Sequence, residues 1–97
     1  MFYARLINHN NTRLLNICDS DLLGKTIIKE KHSIKISESY YGEKHIKKAE
    51  AEHLLKKCDN INMVGKDIIS LSVSLGIGSE KGVKKIGGIP FLIVFKM

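Results

Sequence analysis

Lysines are concentrated near the end of the chain, where no acid balances them. Lys81, Lys84 and Lys85 precede a Gly87-Gly88 pair, and no acidic residue follows position 80. An ammonium group binds phosphate as a point charge, and glycine N–H groups are not shielded by a side chain. We therefore predict that this segment is an anion-contacting edge that could meet the phosphates of RNA.

A second group of basic and aromatic residues lies in the middle of the chain. Lys44, Lys47 and Lys48 are a candidate continuation of the basic edge, although neighbouring acids also allow a solvated helix face. Tyr40 and Tyr41 are adjacent, and paired aromatic rings on a basic surface can stack unpaired bases. The alternative is that one tyrosine is in the core and the other covers it.

Residue types that carry out catalysis occur without the spacing that catalysis requires. Cys18 and Cys58 form no C-x-x-C motif, so we expect buried, reduced thiols. His45 and His53 are too far apart on a helix to share a metal ion. The glycines at 76–82 are spaced one residue too widely for a dinucleotide fingerprint. We therefore name no catalytic residue, no metal ligand and no cofactor.

The composition is that of a soluble domain, and its basic balance suggests an anionic partner. The chain has 97 residues, 43% of them hydrophobic, and a formal net charge of +6. Its apolar runs are too short to span a membrane, and its start lacks the pattern of a secretory signal, so we expect a cytoplasmic protein. A positive balance favours nucleic acid as partner, but an AT-rich genome would also enrich lysine over arginine.

The hydrophobic pattern predicts the elements that would position these residues. Strands are predicted at 2–7 and 13–19, as a hairpin with a loop of four or five residues, and extended segments at 26–29 and 33–37. An apolar stripe predicts a helix over 44–57, and short strands are expected at 61–65 and 83–86. The final strand, 91–96, lacks alternation, which is typical of burial on both faces.

The segment 67–75 fits two structures. Apolar and serine residues alternate over 69–75, as in a strand, whereas Ile68, Leu71 and Leu75 also share one helix face. Asp67 and Gly76 could cap such a helix at its two ends. Periodicity alone leaves both possibilities open.

The order of short motifs along the chain resembles one archaeal family. The motifs are Leu22-Leu23-Gly24-Lys25, Tyr40-Tyr41-Gly42, Asn62-Met63-Val64-Gly65-Lys66, Leu75-Gly76 and Ile86-Gly87-Gly88-Ile89-Pro90. Together they resemble the family catalogued as domain of unknown function 424, over essentially the whole chain. The resemblance implies a helix at 67–75 and an archaeal source, but no activity. It also implies a histidine after the Gly-Gly-x-Pro motif, where this chain has Phe91.

These observations predict one α+β domain over residues 1–97, with two layers. We expect a mainly antiparallel sheet, built from the N-terminal hairpin, the strand around Ile34 and the C-terminal pair, with two helices on one face. The predicted function is a non-catalytic binding module for RNA or a ribonucleoprotein. One alternative is a protein–protein or self-association module, such as a homodimer formed through the apolar last strand. Another is a small enzyme of unknown chemistry.

Overall fold

A six-stranded sheet and a separate two-stranded hairpin make up the strands of the computed structural model, which describes residues 1–96. The strands are β1 Phe2–His9, β2 Thr12–Asp19, β3 Thr26–Lys29, β4 His32–Lys35, β5 Lys44–Ile46, β6 Asn60–Val64, β7 Lys84–Ile86 and β8 Ile89–Phe95. The helices are α1 Glu38–Tyr41, α2 Lys48–Lys57 and α3 Lys66–Ser74.

The large sheet has the strand order β5-β1-β2-β6-β8-β7. β2 and β6 run parallel, and the other neighbouring pairs are antiparallel. The predicted α+β class and mainly antiparallel sheet are therefore confirmed. None of the helices within residues 1–96 is long and apolar enough to cross a membrane.

The first face of the sheet, which we call the helical face, carries α2 and α3. Leu15, Ile17 and Ile61 project from the central strands and are at most 1% exposed. They pack against Leu55 of α2 and Ile68 of α3. Because strand side chains alternate between faces, this core takes every second residue of β1, β2, β6 and β8.

The second face, which we call the open face, is covered only in part. The hairpin β3–β4 and the segments around it bring Ile27 and Ile36 against Cys18 and Val64 in a smaller cluster. Tyr41 of α1 completes that cluster. Among the described residues, fewer cover the rest of this face. It carries the exposed side chains of Ile93 and Phe95, which are described below.

Two features of the strands differ from the prediction. β1 and β2 extend further than predicted, so their turn has two residues, Asn10 and Asn11, with φ of 48° and 64°. Positive φ at both positions matches the twist of a tight hairpin, and asparagine tolerates it. The strand around Ile34 is not part of the large sheet, because β4 pairs only with β3 in a sheet of its own.

The predicted helix at 44–57 begins four residues late, at Lys48. Lys44–Ile46 instead form β5, where Ile46 pairs with Phe2 and is 2% exposed. Burying Ile46 at the sheet edge favours a strand there, and the apolar helix stripe starts only at Ala51.

The helix at 67–75 is confirmed as α3, and its start depends on two residues outside it. Both carboxylate oxygens of Asp19 accept hydrogen bonds, from the backbone N–H of Asp67 at 3.0 Å and of Ile68 at 2.9 Å. Gly65 precedes the helix with φ 116° and ψ 150°, a conformation that is essentially restricted to glycine. The sequence pattern proposed Asp67 as the cap, but Asp19 of β2 has that role.

The prediction that the last strand is buried on both faces is wrong. Leu92 is buried against the helices, whereas Ile93 and Phe95 are 58% and 69% exposed. These two side chains project from the open face, beyond the part that β3–β4 and α1 cover. The prediction for the cysteines is confirmed, since Cys18 and Cys58 are free and buried.

Candidate ligand-binding groove

A groove of about 460 Å³ lies on the open face, between α1 and the last two strands of the sheet. Its lining residues are Tyr40, Tyr41, Asn62, Met63, Val64, Gly82, Lys84, Ile86, Phe91 and Ile93. The volume is within the range of small-molecule sites, about 300–1,000 Å³. The groove therefore brings together the predicted tyrosine pair and one lysine of the predicted basic edge.

The two tyrosines have different environments. Tyr41 is 8% exposed and packs in the smaller core cluster, while Tyr40 is 48% exposed. Their ring centroids are 5.0 Å apart at an interplanar angle of 65°, so the rings meet edge to face. Burial raises the pKa of the Tyr41 hydroxyl to about 12. Tyr41 therefore supports the core, and Tyr40 is the ring that a ligand can reach.

Side chains of the sheet fix α1, and with it Tyr40. Arg5 donates a hydrogen bond to the backbone oxygen of Ser39. The Nδ2 of Asn16, a residue only 3% exposed, donates to the backbone oxygen of Tyr40 at 3.3 Å. These contacts hold consecutive residues of a helix that is too short to be stable alone.

An amide side chain joins this network at the floor of the groove. Asn62 of β6 donates through Nδ2 to Oδ1 of Asn16, at 2.8 Å. The side-chain oxygen of Asn62, Oδ1, is an acceptor with two lone pairs, which can accept a hydrogen bond from an N–H donor of a ligand. Sequence reasoning missed Asn62, although it lies in the Asn-x-Asn alternation at Asn60–Asn62 that places both amides on the open face.

The three lysines of the predicted basic edge do not share one surface. Lys84 pairs with Phe91 and lines the groove, whereas Lys85 pairs with Pro90 and points to the helical face. Lys81 lies in a 3-10 turn, Glu80–Gly82, just before β7, and is not a lining residue. Side-chain alternation along β7 separates the neighbours Lys84 and Lys85.

Gly87 and Gly88 form the two-residue turn between β7 and β8, with φ of 57° and 82°. A Cβ at Gly87 would overlap Cγ2 of Ile27 in the smaller core cluster, whereas a Cβ at Gly88 would meet nothing within 4 Å. Gly87 therefore allows β3 to pack closely against the turn. Both glycines are exposed to solvent, and only Gly88 has open space around its Cα.

The lysines of the middle segment do not line the groove. Lys44 is in β5 and Lys47 and Lys48 follow it, at the sheet edge opposite to β7. Five strand spacings separate these edges, about 24 Å in all. Lys44 also forms a 2.9 Å salt bridge with Glu50. The predicted continuation of one basic edge across both groups does not form.

Possible catalytic groups occur outside the groove and remain incomplete. The Oγ of Ser20 lies 3.1 Å from Nε2 of His45, and the His45 ring stacks on Tyr3 at 4.4 Å. No acid contacts the ring among the hydrogen bonds of the described residues. Burial raises the pKa of the Cys18 thiol to about 12, which keeps it protonated and unreactive near neutral pH.

Comparison with known sequences then connects this fold to a family. The profile of the family described as protein of unknown function (DUF424) matches residues 7–97. The chain belongs to this family. No curated protein matches the sequence significantly.

A solved structure supports the fold of this family member. The chain is similar to an uncharacterized conserved protein from Methanopyrus kandleri, with a TM-score of 0.77 and 24% sequence identity. The match covers 99% of this chain and 93% of the other. The topology described above is therefore also that of a crystal structure, and the likeness extends to the fold alone.

Proposed function

We propose that this DUF424 protein is a non-catalytic module that binds single-stranded RNA, free or within a ribonucleoprotein, in the groove on the open face. The observation that carries the proposal is that Tyr40, Asn62 and Lys84 line the same groove. These side chains offer a ring, an amide and an ammonium group, which suit the face of a base, the edge of a base and a phosphate.

Each group has a defined role in this proposal. The exposed ring of Tyr40 stacks on a base, which is how single strands are held without regard to sequence. The carbonyl oxygen of Asn62 accepts a hydrogen bond from a base edge. Lys84 contacts a phosphate as a point charge. The apolar floor, including Ile86 and Phe91, excludes water from beneath the base.

The charge of the whole chain favours the same class of partner. A net charge of +6 attracts polyanions and speeds their encounter with the protein. An unpaired strand suits the groove better than a duplex, because stacking on Tyr40 requires an exposed base face.

Replacing Tyr40 tests the stacking contact. Binding of a labelled single-stranded RNA to the wild type, Tyr40→Phe and Tyr40→Ala is measured by fluorescence anisotropy. Tyr40→Phe keeps the ring and is expected to stay within about twofold of the wild type. Tyr40→Ala is expected to weaken binding by about 5- to 150-fold, because one stacked base contributes about 1–3 kcal/mol.

The same RNA length as a duplex is the matched ligand control. Weaker binding of the duplex, together with loss only in Tyr40→Ala, supports stacking in the groove. Equal affinities of all three proteins for the single strand contradict it. Far-UV circular dichroism of the variants checks that the exposed position tolerates each change.

A further inference from the structure

A polar cleft of about 550 Å³ lies on the helical face, at the turn between β1 and β2. The end of β1, the turn itself, Arg13 of β2 and Lys57, the last residue of α2, line this cleft. Asn8 pairs with Arg13, and Leu6 pairs with the buried Leu15, so these side chains project from the helical face. The cleft and the groove therefore lie on opposite faces of the sheet.

The lining of the cleft contains two cationic side chains, Arg13 and Lys57, and no aspartate or glutamate. Within residues 1–96, neither of these side chains forms a salt bridge. The other arginine of the chain, Arg5, has a glutamate 3.9 Å away. Asp59 lies close to Arg13, but it accepts a hydrogen bond from the backbone N–H at 2.9 Å and does not line the cleft. Both positive charges are therefore available to an anion.

The end of α2 beside the cleft does not oppose an anion. The last carbonyl groups of a helix carry partial negative charge, but the ammonium group of Lys96 donates hydrogen bonds to two of them. Burial raises the pKa of the Cys58 thiol at this helix end. The charges of Lys96, Arg13 and Lys57 oppose the rise, and among neighbouring charges only Asp59 adds to it. Positive charge therefore exceeds negative charge around the cleft.

We propose that this cleft binds a small hydroxylated molecule through its phosphate monoester group. Arg13 and Lys57 contact the phosphate, whose charge of about −1.5 to −2 at pH 7 matches two cations. The guanidinium group can donate two parallel hydrogen bonds to phosphate oxygens. The side chains of Asn8, Asn10 and Asn11 line the cleft and offer amide donors and acceptors to hydroxyl groups. An uncharged sugar or a monocarboxylate matches only part of this set.

The test is a titration of the ¹⁵N-labelled full chain with ribose 5-phosphate, followed by NMR of the backbone amides. The ionic strength is held constant, so that screening of the protein charges does not change during the titration. Saturable shifts are expected at the amides of residues 8–13 and of Lys57. Inorganic phosphate is expected to shift the same amides with lower affinity, because it has no hydroxylated part. Ribose, which has no phosphate, is expected to cause no saturable shift at the same concentrations.

Lys57→Gln and Lys56→Gln are a matched pair of variants. They remove the same charge from adjacent residues of α2, but only Lys57 lines the cleft. Lys57→Gln is expected to weaken binding of ribose 5-phosphate by about tenfold, and Lys56→Gln by less than about twofold. Arg13→Lys retains the charge but not the paired N–H donors, so it should also weaken binding. Far-UV circular dichroism checks that each variant is folded.

Three results would overturn the proposal: no saturable shifts at residues 8–13, equal weakening by Lys56→Gln and Lys57→Gln, or equal binding of ribose and ribose 5-phosphate. Shifts confined to Tyr40 and Asn62 would also contradict it, because they would assign the ligand to the groove. None of these outcomes depends on whether the protein binds RNA, since the titration contains no RNA and the cleft lies on the other face of the sheet.

Discussion

At the scale of single residues, the close contact between Asp19 and Gly65 fixes the start of α3. Asp19 is 4% exposed, and its carboxylate accepts hydrogen bonds from the N–H groups of Asp67 and Ile68 in the first turn of α3. Burial raises the pKa of this carboxyl, and the two hydrogen bonds oppose that shift. A Cβ at Gly65 would overlap the Asp19 carboxylate, so glycine is required both for its backbone conformation and for the close approach.

Gly65→Ala is therefore expected to destabilise the protein by about 3 kcal/mol or more, because it adds backbone strain and displaces the cap of α3. Urea unfolding followed by circular dichroism measures the change. Gly24→Ala is the matched control, since Gly24 has φ 87° and open space around its Cα. The Gly24→Ala variant should lose only about 1–2 kcal/mol of its free energy of unfolding, which is the cost of a positive φ for alanine. Equal losses in the two variants would show that the contact with Asp19 is unimportant.

At the scale of elements, local patterns predict most of the strands and both long helices, but not the partners of every strand. The hairpin of β1 and β2 pairs segments that are adjacent in the sequence, so the local pattern predicts it. Only the length of its turn is predicted wrongly. The isolation of β4 and the strand character of Lys44–Ile46 arise from long-range pairing, which periodicity does not contain.

The candidate site is predictable to a similar degree. Residue type alone identifies Tyr40 and Lys84 as candidates, and the fold places both side chains in the lining of the groove. Asn62 escapes such reasoning because an amide in a short buried strand has no catalytic or basic signature. Grouping Lys85 with Lys84 is wrong, since adjacency in sequence means opposite faces in a strand.

The turn between β7 and β8 gives a prediction for element packing. Gly87→Ala is expected to displace Ile27 and loosen the β3–β4 hairpin. It should lower the free energy of unfolding by about 1–3 kcal/mol, in addition to the effect of backbone strain. Gly88→Ala should lower the free energy of unfolding only by the backbone strain, because a Cβ at Gly88 meets nothing within 4 Å. Thermal unfolding and proteolysis within residues 26–35 measure both effects. If Gly88→Ala proves as destabilising as Gly87→Ala, the turn does not act through Ile27.

At the scale of the whole molecule, the lysines of the predicted basic edge are divided between opposite edges of the sheet. Lys84 lies at the groove, whereas Lys44, Lys47 and Lys48 lie beyond β1 at the opposite edge. Lys96 has a structural role, since its ammonium group donates to the backbone oxygens of Leu55 and Lys56 at the end of α2. In the proposed function, net charge therefore attracts the polyanion, and the groove decides where it binds.

A salt titration of RNA binding, comparing Lys84→Glu with Lys85→Glu, tests this account most directly. The two variants change the net charge equally, on adjacent residues of one strand, but only Lys84 lines the groove. We expect Lys84→Glu to weaken binding of single-stranded RNA and to reduce the slope of log K against log salt by about 0.7 for each phosphate that the protein no longer neutralises. Lys85→Glu should retain the slope of the wild type. Equal weakening in both variants, or no salt-dependent binding by the wild type, would contradict an RNA site in the groove.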